Sequence, residues 1–360
     1  MNILFNLIFM SEFTYINTKL RKKPIFLNIV LFCVTIVTTI VAGTMWANKD
    51  FTDLNNWHYG LEYSFLILLF LTAHEFGHYF AARKHNVDST LPYYIPMPFP
   101  FFINFGTFGA VIKTRSPINS RKALFDIGIA GPLAGFVVCV TYLIIGLSTL
   151  PGKEFIYQIH PEYLTLYNGE IPTTSLHFGD TLMYYLMSQV FANPNGWLPP
   201  MNEIYHYPLL NVGWFGLFVT TLNLLPFGQL DGGHITYAMF GKNQGRIARI
   251  VWWVILIIGI GSLLHTLYLF ILEDFPNSLD SWLFGAIFPV LEWIKNTIPF
   301  YMDGWGGWLF WALITRFYIK LDHPQLIDYT ALTDNRKLLG WISIIILLLS
   351  FSYNGIYFVD

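Results

Sequence analysis

The stretch FLILLFLTAHEFGHYFAARKH, residues 65–85, combines an apolar run with two histidines and a glutamate. His74 and His78 are four residues apart, so on a helix both imidazoles lie on one face and can reach one zinc ion. Zinc lowers the pKa of a bound water to about 7, and Glu75 lies where it can accept the proton of that water. The spacing therefore indicates metal-assisted hydrolysis, with two histidine ligands and Glu75 as the base.

The surroundings of this motif favour a functional site over a chance arrangement. A pair of core histidines with a stray carboxylate is the ordinary structural explanation. An ionisable group inside an apolar span costs several kcal/mol, however, and usually marks a functional cavity. Five residues separate His78 from Arg83, which places His78 roughly 7–8 Å below the membrane surface. Water from that surface can reach a metal ion at this depth.

A catalytic zinc ion usually has three protein ligands and one open position. The stretch TTLNLLPFGQLDGGH, residues 220–234, offers Asp231 as the third ligand and His234 as a rival. We expect the proline and glycines here to break the helix and to line a polar cavity. They are Pro226, Gly228, Gly232 and Gly233. A turn aspartate before Gly-Gly is the alternative explanation for Asp231.

The composition is that of a membrane protein. The chain has 360 residues, of which 54% are hydrophobic and only 12% charged, and its mean hydropathy is +0.50. Soluble domains carry about 25% charged residues. The net charge of −2 provides no basic field, so we expect no nucleic-acid partner. Cys33 and Cys139 both lie in apolar runs, which does not indicate a disulfide framework or thiolate ligands.

Six apolar runs approach the length of about 20 residues that a spanning helix needs. They are residues 25–45, 61–82, 124–150, 209–227, 250–272 and 338–351. Basic clusters at their ends fall on one side, which predicts a cytoplasmic N-terminus and an outside segment at 151–208. In 281–319 we expect one further span ending near Lys320, with 281–298 interfacial or re-entrant. Residues 105–113 are β-prone and punctuated by glycine.

The predicted fold class is therefore an all-α polytopic membrane protein with about six to eight transmembrane helices and a short membrane-associated β-hairpin. We expect an N-terminal segment and first helix at 1–60, a metalloprotease core at 61–245 and C-terminal transmembrane helices at 246–360. The beginning of the chain lacks a basic region before its apolar residues and resembles neither a signal peptide nor a transit peptide. We therefore expect a bacterial inner membrane rather than a plastid one.

An H-E-x-x-H motif in one span and an L-D-G motif in a later one resemble the site-2 protease family of intramembrane zinc metalloproteases, peptidase family M50. The resemblance implies one zinc ion per chain, held by His74, His78 and Asp231, with Glu75 as catalytic base. Many members have N-P-D-G where this chain has Q-L-D-G at 229–232. The absent Asn-Pro pair and the N-L-L-P stretch at 223–226 resemble the bacterial and plastid branch, as do residues 321–341. Residues 106–136 resemble the family's glycine-rich hairpin before the third span. We expect no PDZ or CBS domain.

The resemblance also implies the type of substrate. A membrane-spanning protein, often shortened first by another protease, would be cut within or near the lipid bilayer; anti-sigma factors and signal-peptide remnants are examples. A protease must hold such a substrate unwound, which an exposed strand edge does by pairing with it. Gly106, Phe108 and Gly109 are the candidates for this edge, and Asn223 is a candidate for binding the extended backbone. An ordinary interfacial loop and a capping asparagine are the alternatives.

Three other functions remain open from the sequence. A membrane zincin of another class would use a downstream glutamate as third ligand. A metal transporter would use the intramembrane histidines and aspartate as a transit site, although its polar residues should be spread along several spans. A catalytically inactive scaffold would have no need of the intact motif.

Overall fold

The computed structural model describes residues 25–99, 104–274, 281–326, 328 and 330–359. The N-terminal basic cluster, on which the predicted orientation of the first span depends, lies outside these residues, as does Asp280 in the acidic loop. Most of the described chain is helical, and it contains two small antiparallel sheets. The fold is thus mostly α, as predicted, with one sheet more than expected.

Among the described residues, four helical segments are long and apolar enough to cross a membrane. Two of them are single helices, α1 (Phe26–Trp46) and α3 (Arg121–Ser148). The second segment joins a 3₁₀ turn, Leu54–Gly60, to α2 (Leu61–Lys84). The fourth joins α8 (Asp231–Phe240) to α9 (Gln244–Asp274) through the 3₁₀ turn Gly241–Asn243. These segments correspond to the first, second, third and fifth of the predicted apolar runs, with ends shifted by a few residues in the first and third.

The remaining predicted spans are shorter helices, so the count of six to eight spans is not confirmed. The fourth and sixth runs form α7 (Pro208–Leu224) and α13 (Asp334–Ser350), each of 17 residues. The span expected to end near Lys320 is interrupted: α10 (Ser281–Thr297), α11 (Pro299–Met302) and α12 (Gly306–Ile314) are followed by a π-helical turn, Thr315–Ile319. A helix of 17 residues is about 25 Å long, a little less than the hydrocarbon core.

The centre of the molecule is the contact of α2 and α7 with α3. Phe70 of α2, Leu143 of α3 and Trp214 of α7 are fully buried there. Glycines bring the helices close: a Cβ at Gly216 of α7 would overlap Cys139 of α3. Such close contact at small residues is the usual packing of membrane helices. It fixes the position of α2, which carries the H-E-x-x-H motif.

The predicted hairpin is present and is held against α1. Strands β1 (Tyr93–Pro96) and β2 (Thr107–Val111) pair antiparallel, with an irregularity between Tyr94 and Pro96. The Asn28 side-chain amide donates to the carbonyls of Leu91 and Pro92 at 3.0 and 2.9 Å. At the other end of the hairpin, the Thr38 hydroxyl donates to the Gly106 carbonyl at 2.6 Å.

The segment 151–208 has more structure than the polar loop that the sequence suggests. It contains α4 (Glu154–Ile159), α5 (Glu162–Thr165), β3 (Leu176–Phe178), α6 (Leu182–Phe191) and a 3₁₀ turn, Ile204–His206. Strand β3 pairs antiparallel with β4 (Ile356–Phe358), which follows α13. Three-residue strands so far apart in sequence carry no recognisable period, so the sequence could not predict this sheet.

Candidate metal centre

Helix α2 places His74 and His78 on its buried face. One helical turn separates them, and their Nε2 atoms are 3.1 Å apart. His74, Glu75 and His78 are 5%, 6% and 7% exposed. This face packs against α3, where two glycines leave room for the imidazoles. A Cβ at Gly131 would overlap the His78 ring, and a Cβ at Gly135 would lie 3.3 Å from His74 Nδ1. The helix pair therefore encloses the motif on this side.

Asp231 is brought to the two histidines by a break between α7 and α8. Its Oδ2 lies 3.5 Å from His74 Nε2 and 3.3 Å from His78 Nε2. Asp231 is the first residue of α8, where the helix dipole favours a carboxylate. The backbone of residues 225–230 folds closely over the start of α8. A Cβ at Gly232 would overlap the Leu224 carbonyl and one at Gly233 would overlap the Gly228 carbonyl.

This geometry corrects the role assigned to two of the glycines. Gly232 and Gly233 were expected to break the helix, but both lie inside α8. The break is confined to Leu225–Leu230, where Pro226 lies and Gly228 has φ +43°. The glycine pair permits close packing of the loop instead, and this packing fixes Asp231 beside α2.

A hydrogen bond of His78 Nδ1 orients the other ring nitrogen, Nε2, toward the cluster. Its Nδ1 lies 2.7 Å from the Ile127 carbonyl of α3. A carbonyl only accepts, so Nδ1 carries the proton and Nε2 presents a lone pair. Metal-binding histidines usually have such a second partner, which fixes the tautomer and the ring orientation. His74 Nδ1 is buried without a hydrogen-bond partner in the described chain.

The three donor atoms fit a zinc ion. Bonds of about 2.0–2.1 Å in a tetrahedral arrangement place neighbouring ligand atoms roughly 3.3–3.4 Å apart. The separations in the cluster are 3.1, 3.3 and 3.5 Å. Two imidazole nitrogens and a carboxylate oxygen are a donor set that zinc accepts, and three protein ligands are the number of a catalytic site.

Glu75 lies between the cluster and the hairpin. Its carboxylate faces the backbone N–H of Ile112, the residue after β2. One turn earlier on α2, the Thr72 hydroxyl is 2.7 Å from the Tyr94 hydroxyl of β1. The hairpin is thus attached to α2 directly beside the base, an arrangement that the sequence did not predict.

His234, the rival ligand, is directed away from the cluster. Its Nδ1 lies 2.8 Å from His323 Nε2, and the His323 ring stacks on Tyr237 at 4.5 Å between centroids. Within the described chain, the histidine and carboxylate donors that meet at this site are those of His74, His78 and Asp231. The pairing explains why a histidine three residues from Asp231 is not part of the group.

The predicted substrate-binding residues have different surroundings. Gly106 has φ +75° and packs on Thr38 and Thr39 of α1, so it has a structural reason to be glycine. Phe108 is 55% exposed. A Cβ at Gly109, which has φ +99°, would meet no atom of the described residues within 4 Å. Asn223 is half-buried near the end of α7.

Sequence reasoning missed the contribution of α3. Gly128, Gly131 and Gly135 contact His234, His78 and His74 respectively. Their spacing of three and four residues puts them on one helix face. Small residues at such intervals are a known signal of close helix contact in membranes and could have identified this face.

The family is decided by the extent of its match. The model of peptidase family M50 matches residues 62–264, more than half of the chain, and includes both motifs. The chain belongs to peptidase family M50. The site-2 protease family expected from the two motifs is thereby confirmed, and so is the prediction of a membrane metalloprotease at the level of the family.

Named relatives of this M50 protein come from plants. "Probable zinc metalloprotease EGY1, chloroplastic" of Arabidopsis thaliana is 32% identical over 185 residues, covering 51% of this chain and 30% of the relative. "Probable zinc metalloprotease EGY2, chloroplastic" of Oryza sativa subsp. indica is 28% identical over 266 residues, covering 72% of this chain and 42% of the relative. The chain thus spans less than half the length of these relatives. No solved structure matches it.

The names of these relatives bear on two predictions, the zinc cofactor and the bacterial inner membrane. Both relatives are named zinc metalloproteases, and the M50 region of this chain holds a donor set that fits zinc, so the predicted cofactor is confirmed. Both are described as chloroplastic. The expectation of a bacterial inner membrane therefore finds no support among them.

Proposed function

We propose that this protein is an intramembrane zinc metalloprotease that hydrolyses peptide bonds of membrane-spanning proteins. His74, His78 and Asp231 hold the zinc ion, and Glu75 is the catalytic base. The observation that carries the proposal is the convergence of the three donor atoms within 3.1–3.5 Å, at a buried position beside Glu75. The ligands come from α2 and α8, which are far apart in sequence, so the folded chain itself brings them together before any metal is bound.

The residues supply the proton transfers of hydrolysis. Zinc, when bound, provides the Lewis acidity that activates water and the peptide carbonyl. The Glu75 carboxylate accepts a proton as the oxygen of water attacks the carbonyl carbon. It then gives this proton to the amine nitrogen as the C–N bond breaks. The Ile112 N–H faces this carboxylate, and burial excludes competing water.

The hairpin supports a substrate that crosses the membrane. Peptide bonds in a helix are shielded by their own hydrogen bonds, so the substrate must be held extended. In the described residues β2 pairs with β1 alone, which leaves its second edge for an added strand. Because Ile112 follows β2 directly and contacts Glu75, an added strand would run past the base. Phe108 and Gly109 lie on the open part of this strand, and Asn223 is a second contact for the extended backbone.

Two substitutions separate metal binding from catalysis. Asp231→Ala should lose one zinc per chain relative to the wild type, because two histidines alone are a weak site. Glu75→Gln should keep that zinc and lose cleavage of a fluorescent transmembrane peptide in detergent by about 10²–10⁴-fold, as expected for removal of a general base. Mass spectrometry of the metal and of the cleavage products measures both effects. Unchanged zinc in Asp231→Ala, or full activity in Glu75→Gln, would contradict the proposal.

A further inference from the structure

A second group of donor atoms lies in the segment 151–208. His160, Glu203 and His206 each direct one atom at a common point, and these atoms lie within 4.8 Å of one another. The two Nε2 atoms are 2.9 Å apart, and His206 Nε2 is 3.6 Å from Glu203 Oε2. Glu203 and His206 are three residues apart across a 3₁₀ turn, which places them on the same side.

Each member of this group has its other polar atom occupied. His206 Nδ1 lies 2.6 Å from the Trp46 carbonyl, at the end of α1. His160 Nδ1 lies 2.8 Å from Glu162 Oε1. Glu203 Oε1 accepts from the Tyr163 hydroxyl at 2.9 Å. Carbonyl and carboxylate oxygens only accept, so both histidines carry a proton on Nδ1, and neutral rings would oppose two lone pairs at 2.9 Å. Such a contact requires either a metal ion or an additional proton between the nitrogens.

Glu203 provides the second reason for a cation. Its side chain is fully buried, and Oε2 has no hydrogen-bond partner in the described chain. An unpaired buried carboxylate is costly unless a positive charge compensates it. His206 Nε2 lies 3.6 Å from this oxygen, and the neutral imidazole is the form that binds metals. An ion bound between the two side chains would compensate the carboxylate.

We propose that His160, Glu203 and His206 bind a second divalent transition-metal ion, with zinc as the ion that this donor set suits best. The outer partners are those of a metal site, where a carboxylate or carbonyl orients each histidine. The site is distinct from the first. His206 precedes α7 and Asp231 follows it, and the 17 residues of that helix separate the two by about 25 Å.

The second ion would act as a structural clip. His160 belongs to the chain between α4 and α5, Glu203 and His206 adjoin the start of α7, and Trp46 ends α1. One ion therefore joins three parts of the structure that are distant in sequence. The loop that it closes, from 160 to 203, contains β3 and α6. A metal that closes a long loop stabilises it most.

A hydrogen-bonded network without metal is the rival explanation. A proton on His160 Nε2 would bridge the two imidazoles, and Glu203 would be protonated, since burial raises its pKa. This network predicts no metal at the site. Metal content therefore decides between the two explanations.

The test uses the full chain in detergent, freed of any affinity tag, loaded with zinc and then desalted. We expect two zinc ions per wild-type chain, one in Glu203→Gln, one in His74→Ala/His78→Ala and none in the triple variant. Glu203→Gln keeps the shape of the side chain and the acceptor for Tyr163. His177→Ala is the matched control in the same segment and should keep both ions, because His177 lies outside the cluster.

One zinc ion in both the wild type and Glu203→Gln would overturn the second site and leave the protease proposal intact. Loss of zinc in Glu203→Gln but not in His74→Ala/His78→Ala would support the second site and contradict the protease proposal. Cobalt titration of metal-free wild-type protein guards against a variant that fails to fold. Visible absorption should saturate at two equivalents per chain. Saturation of the wild type at one equivalent, with no cobalt bound by His74→Ala/His78→Ala, would overturn the proposal. Zinc should also slow cleavage of the 151–208 segment by added chymotrypsin in the wild type, but not in Glu203→Gln, because this segment is rich in tyrosine, phenylalanine and leucine.

Discussion

At the scale of single residues, the metal centre depends on α3 although α3 contributes no ligand. The sequence predicted His74, Glu75 and His78 because their spacing is local and the helix period fixes their relation. It pointed to Asp231 through its unusual position at membrane depth. The Ile127 carbonyl and the Gly131 surface, which orient His78, could not be predicted because they depend on how α3 packs against α2.

Gly131→Ala tests this dependence. Alanine in a helix normally stabilises by about 0.5–1 kcal/mol relative to glycine. Here the added Cβ would overlap the His78 ring, so the ring must move away from its partners. We expect the variant to fold and to lose zinc from the first site, with at least a tenfold loss of peptide cleavage. Metal analysis and circular dichroism measure the two effects.

Gly285→Ala is the control for this substitution. Gly285 lies in α10, and within the described part of the chain a Cβ there would meet no atom within 4 Å. This variant should keep its zinc and its activity. If Gly131→Ala binds zinc as tightly as Gly285→Ala does, then α3 does not hold His78 in place.

At the scale of elements, long apolar periods were predicted well and interrupted ones were not. The runs at 25–45 and 124–150 lie in α1 and α3 with ends shifted by only a few residues. Residues 281–319 were expected to contain one span, but Ile298 and Thr315–Ile319 interrupt the helix. The sequence could not show where α8 begins either, because Gly232 and Gly233 look like helix breakers until the loop that packs on them is known.

An ion pair joins α13 to the metalloprotease region. The Arg336 guanidinium makes two hydrogen bonds to Asp126 of α3, at 2.8 and 2.7 Å, and the two side chains are only 24% and 21% exposed. Asp126 also contacts His85 at 2.8 Å, just after α2. A bidentate ion pair between arginine and a carboxylate is among the stronger side-chain interactions. It links three helix ends on the side of the molecule where the H-E-x-x-H motif lies.

Arg336→Ala should therefore destabilise the protein by about 2 kcal/mol, the range for hydrogen bonds to a charged group. Thermal unfolding in detergent measures the change. Lys337→Ala is the matched control at the next position, since its pair with Asp334 is 54% and 96% exposed. Such exposed pairs contribute about 0–1 kcal/mol. Equal unfolding temperatures for the two variants would show that the contact with Asp126 does not hold α13 in place.

At the scale of the whole molecule, the two donor clusters lie at opposite ends of the central helices. The first is near the end of α2, close to Lys84, and the second adjoins the end of α1 and the start of α7. The predicted orientation places the basic ends of α2 and α3 on the cytoplasmic side and residues 151–208 outside. Under this orientation the protease site opens toward one side of the membrane and the structural clip lies on the other.

Cysteine labelling tests the predicted orientation by placing one cysteine before α3 and another after it. Asn119 precedes α3, and Leu166, which is 74% exposed, follows it. In a background with Cys33 and Cys139 replaced by serine, Asn119→Cys and Leu166→Cys should react with a membrane-impermeant maleimide from opposite sides of sealed vesicles. Lys242→Cys, after α8, should react from the same side as Asn119→Cys because both lie beside basic clusters. If Asn119→Cys and Leu166→Cys react from one side, α3 does not cross the membrane, and the peptide bond that Glu75 reaches would lie outside the bilayer.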